Sequence, residues 1–189
     1  ACHCPPATAE EMNARLRQPG CVVFEGAQAQ CIGDSRVYVE RPGFWHGAAG
    51  IAACWHGGAL SLAQALHRTL VQAPPASHNP FRLAALGKVG VALQSTAALL
   101  RETAHWIDEH PSADAGAMAL RVRLAAEGSS MLVLGEVGRA LGATPFCRDA
   151  AFAQMAADLP VFLRQSHAER DFAALGERLL STGESSWAL

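Results

Sequence analysis

A regular spacing of small and aliphatic residues between residues 83 and 107 constrains the fold more than any other feature of the sequence. Apolar positions recur there at alternating steps of three and four residues: Leu83, Leu86, Gly90, Leu93, Ala97, Leu100, Ala104 and Ile107. Such a seam predicts a helix that packs along one stripe against neighbouring helices. The helix is expected to end at His110-Pro111, because proline cannot continue it.

The sequence on either side of this seam also shows helical periodicity. Helices are expected over about residues 45–70 and 113–141, from residue 148 to a break at 158–160, and from there to about residue 180. The helix over 113–141 has an apolar stripe formed by Val122, Ala126, Val133 and Val137. Residues 74–80 contain three prolines and are expected to form a loop. Helices joined by short loops predict a mainly α protein, an up-down four-helix bundle.

Residues 1–43 show a different pattern. The runs at 21–26 and 35–40 are rich in valine and contain aromatic residues, which predicts two short strands separated by polar turns. A two-stranded piece is marginal in water by itself. We therefore predict three parts: a short β segment left from a larger domain at 1–43, a helical bundle at 44–180, and a frayed tail at 181–189.

Composition excludes several classes of protein. Half of the 189 residues are hydrophobic, 17% are charged and the formal net charge is −2. This balance excludes an intrinsically disordered chain. The absence of a basic excess argues against a nucleic-acid partner. The six cysteines fit no compact disulfide framework, which predicts reduced thiols in a cytoplasmic protein.

Residues 42–67 contain no Asp, Glu, Lys or Arg. The stretch is long enough to span a bilayer, but it carries histidines, a glutamine and five glycines, so we expect a buried helix and no membrane association. Small residues recur along it at helical spacing: Gly47, Gly50, Cys54, Gly57/Gly58 and Ser61. Such a stripe allows another helix backbone or a flat cofactor to approach closely.

No metal site is expected. Trp45-His46-Gly47 recurs ten residues later as Trp55-His56-Gly57. Ten residues of helix advance about 1000°, which separates the two histidines by about 80° and prevents them from binding one ion. The cysteines and histidine near the N-terminus lack the paired hooks of a zinc site; they are Cys2, His3, Cys4, Cys21 and Cys31.

The densest polar cluster covers residues 164–171. On a continuous helix, Arg164, His167 and Asp171 would share one face. A histidine between an arginine and a carboxylate suits an acid–base or orienting role, but an ion-paired solvated face has the same pattern. Asp158 also has two interpretations, as a cap of the last helix before Pro160 or as a functional carboxylate at a helix junction.

Several stretches of the sequence resemble a divergent branch of the acyl-CoA dehydrogenase family. Residues 23–26 and 41–55 resemble the passage from the β middle domain into the C-terminal helices, and residues 148–150 and 158–171 resemble later parts of those helices. The similarity extends from about residue 15 to residue 180. The resemblance implies that residues 1–43 are the end of a β middle domain and that 44–180 are the C-terminal bundle.

The resemblance also implies an activity. Members of the family remove the α-proton of an acyl-CoA with a carboxylate base while a hydride leaves the β-carbon for FAD. It therefore implies a fragment or truncated form of such a flavoprotein, with an acyl-CoA or related acyl thioester as substrate and a homo-oligomer formed through the bundle. The alternative is a non-catalytic helical assembly subunit of the same ancestry without flavin.

For the catalytic residues, the family's glutamate base corresponds to Ala157, so Asp158 is its expected substitute. His167 and Arg164 from the polar cluster complete the predicted catalytic set.

For the cofactor, the family's flavin-contacting segment corresponds to residues 136–142, which implies roles for Glu136 and Gly142. Arg68 is the approximate counterpart, one position out of register, of the arginine that precedes the second bundle helix.

Overall fold

A computed structural model describes residues 23–181, which contain seven α-helices and no strand. The chain divides into two units, with the boundary between Val37 and Tyr38. The helices are α1 (Val37–Glu40), α2 (Pro42–Gln72), α3 (Pro80–Glu109), α4 (Gly116–Leu141), α5 (Thr144–Arg148), α6 (Ala150–Leu163) and α7 (Glu169–Ser181), with a 3₁₀ turn at Pro75–Ser77. The prediction of a mainly helical protein is confirmed for the described residues.

The predicted β segment is wrong where the structure describes it. Residues 23–36 form extended and bent backbone without a strand, and the run at 35–40 ends in α1. The Oδ1 atom of Asp34 accepts hydrogen bonds from the backbone N–H groups of Arg36 and Val37, each at 2.9 Å. This local capping favours a helical turn over the strand preference of the valines. Residues 21 and 22, in the other predicted strand, lie outside the described residues.

Three long helices form the centre of the bundle. Helix α2 packs most extensively against α4, and α3 packs against both of them. The largest fully buried side chains include Trp55, Leu62 and Leu66 of α2. The predicted stripe of α4 is confirmed, since Val122, Ala126, Val133 and Val137 are all buried.

The seam of α3 is rotated from its predicted position. The buried residues of α3 are Ala85, Val89, Leu93, Thr96 and Thr103. Leu93 alone of the predicted positions is buried, while Leu83 and Ala104 are exposed. Alanine, glycine and leucine occur on several sides of this helix, so spacing alone does not determine which stripe faces α2 and α4. In the described part of the chain, α3 is also the one helix that is long and apolar enough to cross a membrane. A single helix of this kind is weak evidence for a membrane span, because core helices meet the same criteria.

Helix α6 continues through the break predicted at 158–160. Pro160 lies inside the helix, which ends at Leu163. Leu159 and Leu163 are buried, and a Cβ atom added to Gly58 of α2 would lie only 3.1 Å from Leu159. Burial of these leucines against α2 outweighs the hydrogen bond that proline cannot donate. The prediction that Asp158 caps the last helix is therefore wrong, because Asp158 lies within α6.

Most helix ends follow local chemistry. The side chain of Asn79 caps α3 by accepting from the Phe81 N–H at 2.8 Å, and Gly142, with φ of 66°, ends α4. The loop predicted at 74–80 is confirmed apart from its 3₁₀ turn. His78 supports the end of α2, since its Nε2 atom lies 2.9 Å from the Leu70 carbonyl oxygen.

Arg178 joins α7 to the segment just before α4 and to Trp45 of α2. Its Nη1 atom donates to Oδ2 of Asp114 at 2.7 Å, and its guanidinium lies 5.3 Å from the ring centroid of Trp45. The hydrogen bond from Arg178 holds the pKa of Asp114 below its ordinary value, against a smaller opposing effect of burial. A Cβ atom on Gly116 would lie 2.6 Å from this guanidinium, so glycine leaves the space that the arginine occupies.

Two leucines of α2 test the orientation of this helix. Leu66 is fully buried, whereas Leu60 is 41% exposed. We expect Leu66→Ala to lower the free energy of unfolding by about 2–5 kcal/mol, because it leaves a cavity in the core. Leu60→Ala should cost less than about 1 kcal/mol. Urea unfolding of the two variants measures the difference, and equal losses would contradict the assigned buried face.

Candidate functional site

A cleft of about 390 Å³ lies where α2, α3 and the α4–α6 region meet. Its wall combines arginines with small polar and apolar residues: Ala65, Arg68, Thr69, Gln72, Arg82, Leu141, Thr144, Pro145, Arg148 and Asp149. The three guanidinium groups come from α2, α3 and α5. Arg68 and Arg82 lie on consecutive helices, and Arg148 comes from much later in the sequence. We call it the arginine cleft.

The charges of the arginine cleft are unbalanced. Among the described residues, neither Arg68 nor Arg148 has a hydrogen-bond or ion-pair partner. Arg82 is positioned by one bond, from its Nε to the Ala140 carbonyl oxygen at 2.9 Å. The carboxylate of Asp149 caps α6 by accepting from the Phe152 N–H at 3.0 Å. Three cations against one engaged carboxylate can bind an anion, and guanidinium groups match phosphate oxygens in geometry.

A second cleft, of about 370 Å³, adjoins the first and shares Arg82 with it. Glu136 lies in its wall and accepts from Lys88 Nζ at 3.3 Å and from Arg139. Burial tends to raise the pKa of Glu136, but these two cationic donors outweigh burial and hold that pKa below its ordinary value. The Glu136 carboxylate is thus already engaged by two cations.

The predicted cofactor residues lie around these two clefts. Arg68 lines the arginine cleft, Glu136 lines its neighbour, and Gly142 follows Leu141 of the arginine cleft. Arg82 was missed by sequence reasoning, and only its position in the first turn of α3 after the Asn79 cap could have drawn attention to it.

The predicted catalytic residues do not come together. Asp158 is exposed on α6 and accepts from Gln154 Nε2 at 2.7 Å. Arg164 follows it by six residues, a rotation of about 600° that places the two on different faces of a helix. Arg164 instead pairs with Glu127 of α4 at 3.3 Å. None of the three predicted residues, Asp158, Arg164 or His167, lines the arginine cleft.

The expected single helical face of Arg164, His167 and Asp171 does not form, because Arg164 and His167 lie in the turn between two helices. Helix α6 ends at Leu163 and α7 begins at Glu169, with Ala168 in the left-handed region at φ of 48°. The contact between His167 and Asp171 is present, at 3.2 Å from Nδ1 to Oδ1. Asp171 also accepts from the backbone N–H of His167 at 3.1 Å. Both features fix the start of α7, and they agree with the ion-paired interpretation of this cluster.

Arg123 lies at the centre of this region, and sequence reasoning missed it. Its Nη1 donates to the Ala48 carbonyl oxygen at 3.3 Å, and its Nη2 to that of Gln165 at 3.0 Å. The guanidinium lies 4.7 Å from the ring centroid of Trp55. Burial lowers the pKa of Arg123, and the carboxylates of Asp171 and Glu127 oppose that effect. One side chain of α4 thus joins α2 to the α6–α7 turn.

The stripe of small residues on α2 is largely exposed. Gly47, Gly50 and Gly57 have open space where a Cβ would lie, and only Gly58 meets another helix closely. At Gly58 the neighbouring atoms belong to the side chains of Leu159 and Met155, so no helix backbone approaches the stripe among the described residues. Cys54, on the exposed side, and Cys147 of α5 are free thiols.

The histidines of the repeated motif lie in different environments. His46 lines a groove between α2 and α3, and burial lowers the pKa of His56. Among residues 23–181, no cluster of three or more metal-ligating side chains occurs. The cysteines and histidine considered for zinc, apart from Cys31, lie outside the described residues.

No protein-family model matches the chain, and no curated protein or solved structure shows significant similarity to it.

The role of Arg123 can be measured by substitution. We expect Arg123→Met to lower the free energy of unfolding by about 2–4 kcal/mol, because it removes two hydrogen bonds from a charged donor and a cation–π contact. Arg170→Met is the control, since Arg170 is exposed on α7 and its side chain has no partner among the described residues; it should change stability by less than about 0.5 kcal/mol. Similar losses in both variants under urea unfolding would contradict the joining role.

Proposed function

We propose that this chain is the helical part of a flavin-dependent oxidoreductase of the acyl-CoA dehydrogenase type. It would be a fragment or truncated form of such an enzyme, which acts on an acyl thioester. Its arginine cleft would bind the diphosphate of FAD. One observation carries the proposal. Arg68 is the approximate counterpart, one position out of register, of an arginine of the family, and Arg148 begins a stretch that resembles the family. The two lie 80 positions apart in the sequence and line the same cleft.

Charge supports a diphosphate as the bound group. Arg68 and Arg148 have no partner among the described residues, and the carboxylate of Asp149 is engaged as a helix cap. Two unpaired guanidinium groups and a third held by a backbone bond match the two negative charges of a diphosphate. The residues present therefore fit this part of the cofactor.

FAD, when bound, supplies the acceptor for a hydride from the acyl β-carbon. The arginines of this chain would hold and orient the cofactor through its diphosphate. Asp158 is the residue proposed to take the α-proton, and its exposed carboxylate has one hydrogen bond to release, from Gln154. Arg164 and His167 would act indirectly, because each is engaged with a carboxylate of its own.

The second candidate function is a non-catalytic assembly subunit that forms a homo-oligomer through the bundle. The exposed stripe of small residues on α2 favours it, because Gly47, Gly50 and Gly57 leave room for another backbone.

If the chain is such a subunit, we expect Gly57→Leu to dissociate the oligomer. The fold should be retained, since a Cβ at this position meets nothing within 4 Å. Light scattering after size-exclusion chromatography measures the mass. An unchanged mass would contradict an interface at this stripe.

Flavin titration tests the proposed function. The purified chain should bind FAD, seen as quenched flavin fluorescence, and bind riboflavin, which lacks the diphosphate, much more weakly. We expect the double variant Arg68→Gln/Arg148→Gln to weaken FAD binding at least tenfold, because each arginine would donate charged hydrogen bonds to the diphosphate. Riboflavin binding should not change.

Arg170→Gln is the matched control and should bind FAD as the unaltered chain does. The assignment of the arginine cleft would be overturned if the chain did not quench the fluorescence of added FAD. It would also be overturned if the double variant bound FAD with unaltered affinity.

A further inference from the structure

Helix α3 carries a second stripe of residues, on the side away from its buried residues, that is uncovered in the described structure. Its members follow one another at alternating steps of three and four residues, and every one is exposed: Phe81, Ala84, Lys88, Val91, Ser95, Ala98, Glu102 and His105. Phe81 and Val91 are 84% and 70% exposed. This spacing is typical of a helix that packs along one stripe against another helix. We call these eight residues the outer seam.

Charge is distributed unevenly along α3. Its first half, residues 80–94, has two cations and no carboxylate, and its second half, residues 95–109, has one cation and three carboxylates. In order, these residues are Arg82 and Lys88, then Arg101, Glu102, Asp108 and Glu109. The halves therefore carry formal charges of +2 and −2. This order opposes the helix dipole, which favours carboxylates near the N-terminus and cations near the C-terminus, but it suits an antiparallel neighbour with the same charge pattern.

Charged groups at both ends of the outer seam are available to such a neighbour. Among the described residues, neither Glu102 nor Asp108 has a hydrogen-bond or ion-pair partner. Lys88 Nζ lies 3.3 Å from Oε1 of Glu136, but the lysine side chain remains 61% exposed. Because an ammonium group has three donors, Lys88 can bind a second carboxylate without releasing Glu136.

We propose that two copies of this chain associate through the outer seam, with their α3 helices antiparallel across a two-fold axis at Ser95. Lys88 and Glu102 lie seven residues before and seven residues after Ser95. Each lysine therefore faces the glutamate of the second copy, and symmetry produces this ion pair twice. Val91 faces Ala98 in the same way, a larger side chain opposite a smaller one. The small side chains of Ser95 and Ala98 allow the two helices to approach closely.

A second copy fits the outer seam better than other neighbours do. A lipid bilayer would remove water from Lys88 and Glu102 without supplying a partner, and a parallel helix would place like charges together. The outer seam is distinct from the stripe of small residues on α2, and the association requires no flavin. Its failure would therefore leave both functions proposed above untouched.

Charge reversal tests the pairing. Light scattering after size-exclusion chromatography should give the full chain twice the mass of a single copy. Lys88→Glu and Glu102→Lys should each weaken the dimer at least tenfold, because each change places two like-charged pairs in the interface. An equal mixture of the two variants should regain the mass of a dimer, since every positive side chain then faces a carboxylate of the other variant. This recovery also shows that both variants are folded.

Glu177→Lys is the matched control, because Glu177 is exposed on α7 and has no partner among the described residues; it should leave the mass unchanged. The proposal is overturned if the unaltered chain is a monomer, if Glu102→Lys remains a dimer, or if the mixed variants stay monomeric. A dimer that Gly57→Leu dissociates and Glu102→Lys does not would place the interface on α2 instead. Added salt should weaken the dimer of the unaltered chain, and a dimer indifferent to salt would also overturn the charge pairing.

Discussion

The contact of Arg123 with Trp55 is the interaction on which most of the bundle depends. A buried guanidinium requires both an apolar surface for its face and acceptors for its N–H groups. The Trp55 ring supplies the first, and the carbonyl oxygens of Ala48 and Gln165 supply the second. The carboxylates of Glu127 and Asp171 act on this charge from nearby, and they also bind Arg164 and His167. Arg164 and His167, which were predicted to be catalytic, thus bind the two carboxylates that lie near Arg123.

Much of the fold follows from the sequence, because helix periodicity, proline positions and end caps are local signals. The ranges of α2, α3 and α4 were predicted to within a few residues, and all four residues predicted for the stripe of α4 are buried. The errors arise where packing competes with a local preference. Leu159 and Leu163 carry α6 through Pro160 because they are buried. Asp34 converts a valine-rich run into a helical turn, and the apolar character of α3 on several sides leaves its seam ambiguous.

Less of the candidate site follows from the sequence. Arg68 was identified through the resemblance, and it lies in the arginine cleft. Its association with Arg82 and Arg148 could not be predicted, since it depends on how three helices pack together. The resemblance added Asp158 to Arg164 and His167 of the polar cluster. In the structure, Asp158 lies within α6, whereas Arg164 and His167 lie after the end of that helix. A site formed across helices requires the packing to be known first.

Arg82 lies in the wall of two adjoining clefts, and its Nε is held by the carbonyl oxygen of Ala140. The position of its guanidinium is thus limited, and its positive charge acts on both spaces. Occupation of one cleft by an anion would diminish the attraction available to an anion in the other. By thermodynamic reciprocity the effect is the same in both directions. The shared arginine makes the two neighbouring spaces energetically dependent on each other, with negative cooperativity between anionic occupants.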